Sequence, residues 1–289
     1  EIVRARVRVA APAVRRLTDQ PWQVTTFTED AGLGGRYVFD LAFEPDGAVW
    51  VAASGGLRHY DGYRWEHFGT DAGLPSSFVR SVLRTRDGTL WVGTDQGAGV
   101  LDPRQGTFDR RGSERGLAGP SVRRMFEDPD GTVWFCSDRW PEVAGTGGLT
   151  SWKDGVWTRH GMAEGLPSQD VMEYLRDSRG RQFVATTRGM VERQGAGWGP
   201  VSELGLPQET MFWALVEGSD GAVLAQANDA PRSIYALHEG RWGVVGTNAL
   251  ALFATETGEV YVTDSARQGN VYRLLRWEDG VLVPIATTE

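Results

Sequence analysis

The side chains in this chain that could bind a ligand are arginines, acids, an asparagine and two aromatic residues at corresponding points of a repeated sequence. An arginine guanidinium can donate two parallel hydrogen bonds to a carboxylate or phosphate, and an aromatic face can stack on a sugar ring. These residue types together predict a site for a small polar ligand, either carbohydrate-like or anionic. The candidate ligand-binding residues are Arg36, Tyr37, Asp95, Asp138, Arg139, Trp140, Arg188, Asn228, Asp264 and Arg267.

A second set of polar residues falls at one equivalent position of the repeat, on the strand that we expect to lie nearest the axis of the fold. The set consists of Asp40, Ser81, Arg124 and Glu173, and the last two copies carry alanine. These side chains predict a wet channel. Arg124 could pair with Asp40 or with Glu173, and such a pair would serve either the structure or a ligand.

One copy of the repeat is longer than the others because residues 137–147 extend a loop. Long loops in compact folds are often functional. Trp140 in this loop has no counterpart in the other copies, so it is interpreted either as an aromatic platform beside Asp138 and Arg139 or as a cap on the edge of the sheet. Both interpretations stay open at this point.

Catalysis and metal binding have little support in the sequence. The four histidines, His59, His67, His160 and His238, fall on outer strands and none accompanies a nucleophile. No cluster has zinc spacing, and the single cysteine, Cys136, is predicted to be buried and inert. We therefore expect no catalytic residue, no metal and no cofactor, and the sequence favours a binding protein over an enzyme.

The elements that must position these residues follow from two phrases that recur in one register. Asp-Gly followed by a Trp-containing strand appears around Trp50, Trp91 and Trp134, and degenerate copies follow. Equivalent positions 50, 91, 134, 183, 224 and 261 are separated by 41, 43, 49, 41 and 37 residues. A Gly-Leu phrase, as at Gly73-Leu74, keeps the same interval. A period near 40 residues is typical of propeller blades.

Each copy is predicted to form four short antiparallel strands, because turn residues interrupt strand-forming residues every 8–12 positions. The fold class is therefore all-β, a β-propeller of four-stranded blades. Six blades are predicted, at residues 36–68, 77–110, 120–160, 169–201, 210–245 and 248–286. The alternative is seven, with one blade built partly from residues 2–9 and 22–27. Residues 1–20 are interpreted as a basic N-terminal extension and residues 21–289 as a single propeller domain.

The most complete phrase, from Gly73 to Gly97, contains Gly-Leu-Pro-Ser and Asp-Gly-Thr-Leu-Trp-Val-Gly-Thr. It resembles the two-component-regulator propeller repeat, and the likeness extends over about residues 28–265. The resemblance implies a ligand-sensing propeller outside the cytoplasm, in the periplasm or the extracellular space. A protein-interaction platform is the main alternative. A streptogramin-type lyase, which shares only the architecture, is a weaker one.

Composition sets the outer limits on function. The 289 residues include 38 glycines and 12 tryptophans, which suit many turns and large apolar anchors. The net charge of −8 argues against nucleic acid as a partner, and no apolar run is long enough for a membrane span. The chain begins without methionine and shows no signal peptide, so it is interpreted as a mature or trimmed product. The expected partner is a small molecule or a protein, and a homo-oligomer is left open.

Overall fold

The computed structural model describes residues 33, 35, 37–139, 146–207, 209–238, 240–255, 257–265 and 272–287. These residues form six four-stranded antiparallel sheets, each with its strands in sequence order. The prediction of an all-β propeller with six four-stranded blades is confirmed. Residues 2–9 and 22–27, on which the seven-blade alternative depends, lie outside the described residues.

The described chain divides into two compact units, one ending at Met172 and one beginning at Glu173. The N-terminal unit contains the first three sheets. Their strands are β1 (Val38–Phe43), β2 (Val49–Ala53), β3 (Gly56–Tyr60) and β4 (Trp65–Phe68), then β5 (Val79–Arg84), β6 (Leu90–Thr94), β7 (Gly97–Asp102) and β8 (Thr107–Arg111), then β9 (Ser121–Glu127), β10 (Val133–Asp138), β11 (Gly148–Lys153) and β12 (Val156–His160). Short 3-10 turns at Thr70–Ala72, Ser113–Arg115 and Met162–Glu164 follow these sheets.

The C-terminal unit contains the other three sheets. The first strand of the first of these begins at Val171, so its first two residues belong to the N-terminal unit. The strands are β13 (Val171–Arg176), β14 (Gln182–Thr186), β15 (Gly189–Gln194) and β16 (Gly197–Pro200), then β17 (Phe212–Glu217), β18 (Val223–Ala227), β19 (Ile234–His238) and β20 (Arg241–Gly246), then β21 (Ala249–Ala254), β22 (Val260–Ser265), β23 (Tyr272–Glu278) and β24 (Val281–Thr287). That a single domain spans 21–289 stays a prediction.

The Asp-Gly phrases form the hairpins between the first and second strands. At the second sheet, Thr85 N–H donates to Thr89 O at 2.9 Å, and the Asp87 carboxylate accepts from Thr89 N–H at 2.9 Å. Gly88 completes the turn with φ of +88°, a backbone conformation that glycine adopts without steric cost. The hairpin turn that the sequence predicts at Asp87-Gly88 is therefore present in the fold.

The core lies between the faces of neighbouring sheets. In the N-terminal unit Trp50 packs with Val82 and Val92 of the next sheet, and Trp91 packs with Met125 and Phe135 of the one after. In the C-terminal unit a cluster joins the last two sheets; it consists of Leu224, Ile234, Ala236, Ala249, Leu252, Val260, Val262 and Leu275. The repeated tryptophans are thus scaffold, buried where one sheet meets the next.

Candidate functional site

The first strands of five sheets carry a bulge at the same place. In β1, β5, β9, β17 and β21 the pairing with the second strand shifts by one residue near the start of the strand. A bulge leaves one residue unpaired and redirects its side chain, and bulges are frequent beside functional sites. The bulged residues are Phe39, Arg80 and Arg123 in the N-terminal unit and Trp213 and Leu250 in the C-terminal unit. The two polar residues among them, Arg80 and Arg123, both lie in the N-terminal unit.

The two bulged arginines meet at one carboxylate. Arg80 Nη1 lies 2.9 Å from Asp138 Oδ1 and also contacts Ser121 Oγ, while Arg123 Nη1 lies 3.9 Å from Asp138 Oδ2. The side chains of Arg80 and Asp138 are each 13% exposed. We call Arg80, Ser121, Arg123 and Asp138 the Asp138 cluster. Two guanidinium groups therefore lie close to one carboxylate in a partly desolvated place, and guanidinium groups are the side chains that best recognise carboxylate and phosphate groups.

The pair of Asp40 and Arg124 lies at the position after the bulge, and the predicted pairing of these two residues is present. Arg124 Nη1 lies 3.1 Å from Asp40 Oδ1, and Val82 N–H donates to Asp40 Oδ2 at 3.2 Å. Burial raises the pKa of the Asp40 carboxyl above its usual value, against the opposing attraction of the Arg124 guanidinium. Asp40 therefore links the first two sheets and also holds Arg124 in place.

Arg139 forms a fork on Asp170, a residue that the sequence analysis did not select. Arg139 Nε and Nη2 donate to the Asp170 carboxylate at 2.9 and 2.7 Å, and Arg139 N–H donates to the same group at 2.9 Å. This pair anchors the start of the long loop, of which residues 140–145 lie outside the described residues. The predicted roles of Trp140 therefore stay predictions.

Aromatic rings lie at the start of the first two sheets. The ring of Phe39 is 6.4 Å from that of Tyr37 and 5.1 Å from that of Phe78, measured between centroids. Tyr37 N–H donates to Ser54 Oγ at 3.3 Å. Phe39 shares its bulge position with Arg80, so the same backbone feature presents an aromatic residue on one sheet and a guanidinium on the next.

Two other candidates of the N-terminal unit, Ser81 and Asp95, differ in whether their side chains have hydrogen-bond partners among the described residues. Ser81 is fully buried and donates to Val122 O at 3.3 Å. Asp95 N–H donates to Phe78 O at 3.3 Å, and its buried Oδ1 has no hydrogen-bond partner among the residues that the structure describes. Asp95 thus keeps one acceptor that the described protein does not use.

The candidates of the C-terminal unit do not share one cluster. Asp264 is buried and paired with Arg273, whose Nε donates to Asp264 Oδ1 at 2.8 Å. Arg188 and Asn228 are exposed, and their described bonds are backbone ones, to Thr186 Oγ1 and Met211 O. Glu173 is buried on β13. The candidates Arg36, Trp140 and Arg267 lie outside the described residues.

Sequence reasoning missed Arg80, Ser121, Arg123 and Asp170. The two arginines are 43 residues apart, which is one of the repeat steps, and each comes one residue before an aligned position, Ser81 or Arg124. An alignment that allowed a one-residue bulge would have selected them. Among the described residues, no group of three or more His, Cys, Asp or Glu side chains could hold a metal ion.

Two segments, residues 73–96 and 116–139, match the family described as two component regulator propeller. With six four-stranded sheets, these matches define a β-propeller that contains two-component regulator propeller repeats. The resemblance predicted from the sequence is confirmed. No curated protein matches the chain by sequence.

Solved propeller structures resemble this chain at low sequence identity. The extracellular domain of BT4673 from B. thetaiotaomicron, described as a hybrid two component system, gives a TM-score of 0.64 at 16% identity, covering 86% of this chain and 33% of that one. Virginiamycin B lyase from Staphylococcus aureus gives 0.62 at 13% identity, covering 86% and 83%. A GH74 xyloglucanase from Xanthomonas campestris gives 0.63 at 18%, covering 87% and 45%.

These likenesses show the fold alone. This chain spans about a third of the length of the BT4673 domain that it matches. Within the part of the chain that the structure describes, helices long and apolar enough to cross a membrane are absent.

Proposed function

We propose that this chain is a ligand-binding, sensory propeller module, and that the Asp138 cluster binds a small polar ligand through an anionic group. The observation that carries the proposal is the convergence of Arg80 and Arg123, from equivalent bulges on adjacent sheets, at a single carboxylate. A carboxylate or similar group on a ligand would accept hydrogen bonds from these guanidinium groups.

Aromatic residues of the first sheet suit a ligand with a ring. Tyr37 and Phe39 supply aromatic faces at the start of the first sheet, and Asp138 accepts hydrogen bonds, as ligand hydroxyl groups require. Arg123 is the more exposed arginine of the cluster, at 28%, so its guanidinium is the one that a ligand would reach first. This combination favours a carbohydrate-like molecule that carries an acid group.

The sensory role and the location outside the cytoplasm rest on the repeat type. The matched family is described as a regulator propeller, and BT4673 is described as an extracellular domain of a two component system. Arg80 lies within the matched segment 73–96, and Arg123 lies within the matched segment 116–139. The proposed ligand site thus draws both of its arginines from the segments that match the family.

Ligand-induced stabilisation tests the proposal. Purified protein is heated with glucuronate, galacturonate and citrate, and with glucose and galactose as neutral counterparts. A compound present at 100 times its Kd stabilises the folded state by about 2.7 kcal/mol, which a thermal shift detects. We expect one of the acids to stabilise the protein. We expect its neutral counterpart to bind with an affinity at least tenfold lower.

Matched variants locate the site. Arg123→Gln should weaken binding of the acid at least tenfold, whereas Arg104→Gln, an exposed arginine on a hairpin turn, should leave it unchanged. Equal responses of the two variants would overturn the assignment. Stable capture of a protein partner with no response to any compound would favour an interaction platform. Turnover that Asp138→Asn abolishes would indicate an enzyme.

A further inference from the structure

Asp95 of the second sheet is the counterpart of Asp138 in the third. Each aspartate directly follows the second-strand residue that pairs with the valine before the bulge, which is Val79 in one sheet and Val122 in the other. By the same pairing, Ser54 is the counterpart in the first sheet. The repeat thus places a polar side chain at this point in all three sheets of the N-terminal unit.

The three side chains at this point differ in their partners. Asp138 accepts from Arg80 at 2.9 Å. Ser54 Oγ accepts from Tyr37 N–H at 3.3 Å. Asp95 Oδ1 is buried, and within the described part of the chain it has no hydrogen-bond partner. Buried acceptors are nearly always hydrogen-bonded, because a carboxylate that loses water without gaining a partner costs free energy. Asp95 is therefore the member of the three that needs a donor from elsewhere.

The bulged residue of the first sheet explains why Asp95 differs from Asp138. Arg80, which donates to Asp138, is the bulged residue of the sheet before it. The bulged residue of the sheet before Asp95 is Phe39. A phenyl ring has no N–H or O–H to donate, so Phe39 occupies the position of a guanidinium without supplying a hydrogen bond or a charge.

A second contact supports this equivalence. Phe78 and Ser121 each directly precede the valine before the bulge. Arg80 Nη1 contacts Ser121 Oγ. Correspondingly, the ring of Phe39 lies 5.1 Å from the ring of Phe78, measured between centroids. Asp95 N–H donates to Phe78 O at 3.3 Å. The phenylalanines therefore meet at Asp95 as the corresponding polar residues meet in the next sheet.

Aromatic rings surround the start of the first two sheets, where Asp95 lies. Tyr37, Phe39 and Phe78 are each half-buried, so part of each ring is accessible. The face of an aromatic ring attracts a cation, and a carboxylate attracts it by charge. Phenyl rings offer no oxygen ligand, whereas hard metal ions require several. A carboxylate among aromatic rings therefore suits an organic ammonium group better than a metal ion.

We propose that Asp95, Phe39 and Phe78 bind an ammonium group of the ligand. The ammonium group takes, beside Asp95, the place that the Arg80 guanidinium takes beside Asp138. It donates hydrogen bonds to the carboxylate and lies against the aromatic faces. The aspartate that the described protein leaves without a donor thereby gains one.

One ligand can reach both this site and the Asp138 cluster. Phe78, the backbone partner of Asp95, stands two residues before Arg80, a span of about 7 Å in extended chain. A sugar with substituents on different carbons covers such a distance. Because the Asp138 cluster is proposed to bind an acid group, the ligand is then a carbohydrate-like molecule with one amino group and one acid group. This combined assignment rests on the proposed function, whereas the amine site at Asp95 does not.

Two pairs of sugars that differ in the charge of one nitrogen test the amine site. Glucosamine carries an ammonium group, which N-acetylglucosamine replaces by a neutral amide. Muramic acid and N-acetylmuramic acid repeat this pair with a carboxylate added. Titration calorimetry on the full chain measures the four affinities. We expect each amine to bind at least tenfold more tightly than its acetylated counterpart. Asp95→Asn should remove that preference, and Asp154→Asn, which replaces an exposed aspartate on a hairpin turn, should leave it unchanged.

A substitution at the bulge gives a readout that needs no ligand. Phe39→Arg restores in the first sheet the arginine that the second sheet carries, and Phe39→Gln is its uncharged control. The guanidinium should pair with Asp95, so Phe39→Arg should unfold at a higher urea concentration than Phe39→Gln. In the Asp95→Asn background the two should unfold at the same concentration. Phe39→Arg should also abolish the preference for amines, because the new side chain occupies the site.

The outcomes separate this inference from the proposed function. Equal affinity for each amine and its acetylated counterpart, failure of both amines to bind, or a preference that Asp95→Asn leaves intact would overturn the amine site. Equal unfolding of Phe39→Arg and Phe39→Gln would contradict it as well, since Asp95 would then lie out of reach of the bulge. If Asp95 selects glucosamine but muramic acid binds no more tightly and Arg123→Gln weakens neither, the amine site stands and the assignment of the Asp138 cluster fails.

Discussion

Asp138 accepts a hydrogen bond from Arg80 and forms an ion pair with Arg123, and its side chain is only 13% exposed. We therefore expect the loss of Arg80 to destabilise the fold. Replacing Arg80 with alanine removes the arginine that lies closest to this carboxylate and leaves Arg123 at 3.9 Å. We expect Arg80→Ala to lower the free energy of unfolding by about 2 kcal/mol, because a partly buried charge loses its closest partner. Urea unfolding measures this loss, and Arg104→Ala should change the stability by less than about 0.5 kcal/mol.

A double-mutant cycle separates the pair from the rest of the cluster. Arg80→Ala combined with Asp138→Ala should cost less than the two single changes added together, because each single change already removes the same contact between the two side chains. Strict additivity would mean that the contact between Arg80 and Asp138 contributes nothing to stability.

Asp40 gives the molecule a pH dependence with a defined sign. Burial raises its pKa above 3.8, and Arg124 opposes the shift without cancelling it. Between the unfolded and folded pKa values the folded protein holds more of this proton, so stability falls as the pH rises through that window and levels off above it. The variant Asp40→Asn lacks this titration. Its stability relative to the natural protein should therefore improve from pH 3.8 upward, and urea unfolding from pH 3.5 to 7 would show the opposite trend if the pKa were lowered.

At the scale of the strand and turn, Gly47 and Gly73 belong to two repeated phrases and are required for different reasons. Gly47, in an Asp-Gly turn, has φ of +92° and open space around the position of a Cβ atom. Gly73, in a Gly-Leu phrase, has φ of +95°, but a Cβ there would lie 2.4 Å from Phe108 O on the fourth strand. The first glycine is needed for its backbone conformation alone, and the second also for a close approach.

We expect Gly47→Ala to cost about 1 kcal/mol and Gly73→Ala about 3 kcal/mol of unfolding free energy. Both substitutions add one methyl group at a similar φ, so the difference isolates the contact with Phe108. Equal costs, measured by urea unfolding, would show that the fourth strand moves aside freely.

Elements of this fold could be predicted from sequence where the cause is local. Asp87-Gly88 specifies its own hairpin, and Trp91 follows it at a fixed distance, so turns, strands and blades could all be inferred. The pairing of Asp40 with Arg124 is one of the two that their equivalence in the repeat allowed. The bulge that redirects Arg80 and Arg123 depends on the register between two strands, which leaves no mark in composition or period. The sequence also does not indicate that Leu41 is 48% exposed, because the apolar residues at the equivalent positions, such as Val82 and Met125, are buried.

Within each of the two compact units, sheets that follow one another in sequence pack together. In such repeat proteins stability is close to a sum of the stability of each repeat and of each contact between neighbours. The described chain divides into two compact units at Met172 and Glu173. A change in one unit should then act first on that unit, because free energies of local opening differ across a structure.

Hydrogen exchange followed by mass spectrometry tests this with Gly73→Ala. We expect amide protons of β1 to β12 to exchange faster than in the natural protein, most strongly in β5 to β8, because the added Cβ atom would lie 2.4 Å from Phe108 O and push β8 away from the turn at Gly73. Amide protons of β14 to β24 should keep their protection. Gly47→Ala should give the same pattern with a smaller acceleration, since its cost is smaller. Uniform acceleration across all six sheets would show that the two units open together, so that a sum over neighbouring sheets fails and the chain unfolds as one cooperative body.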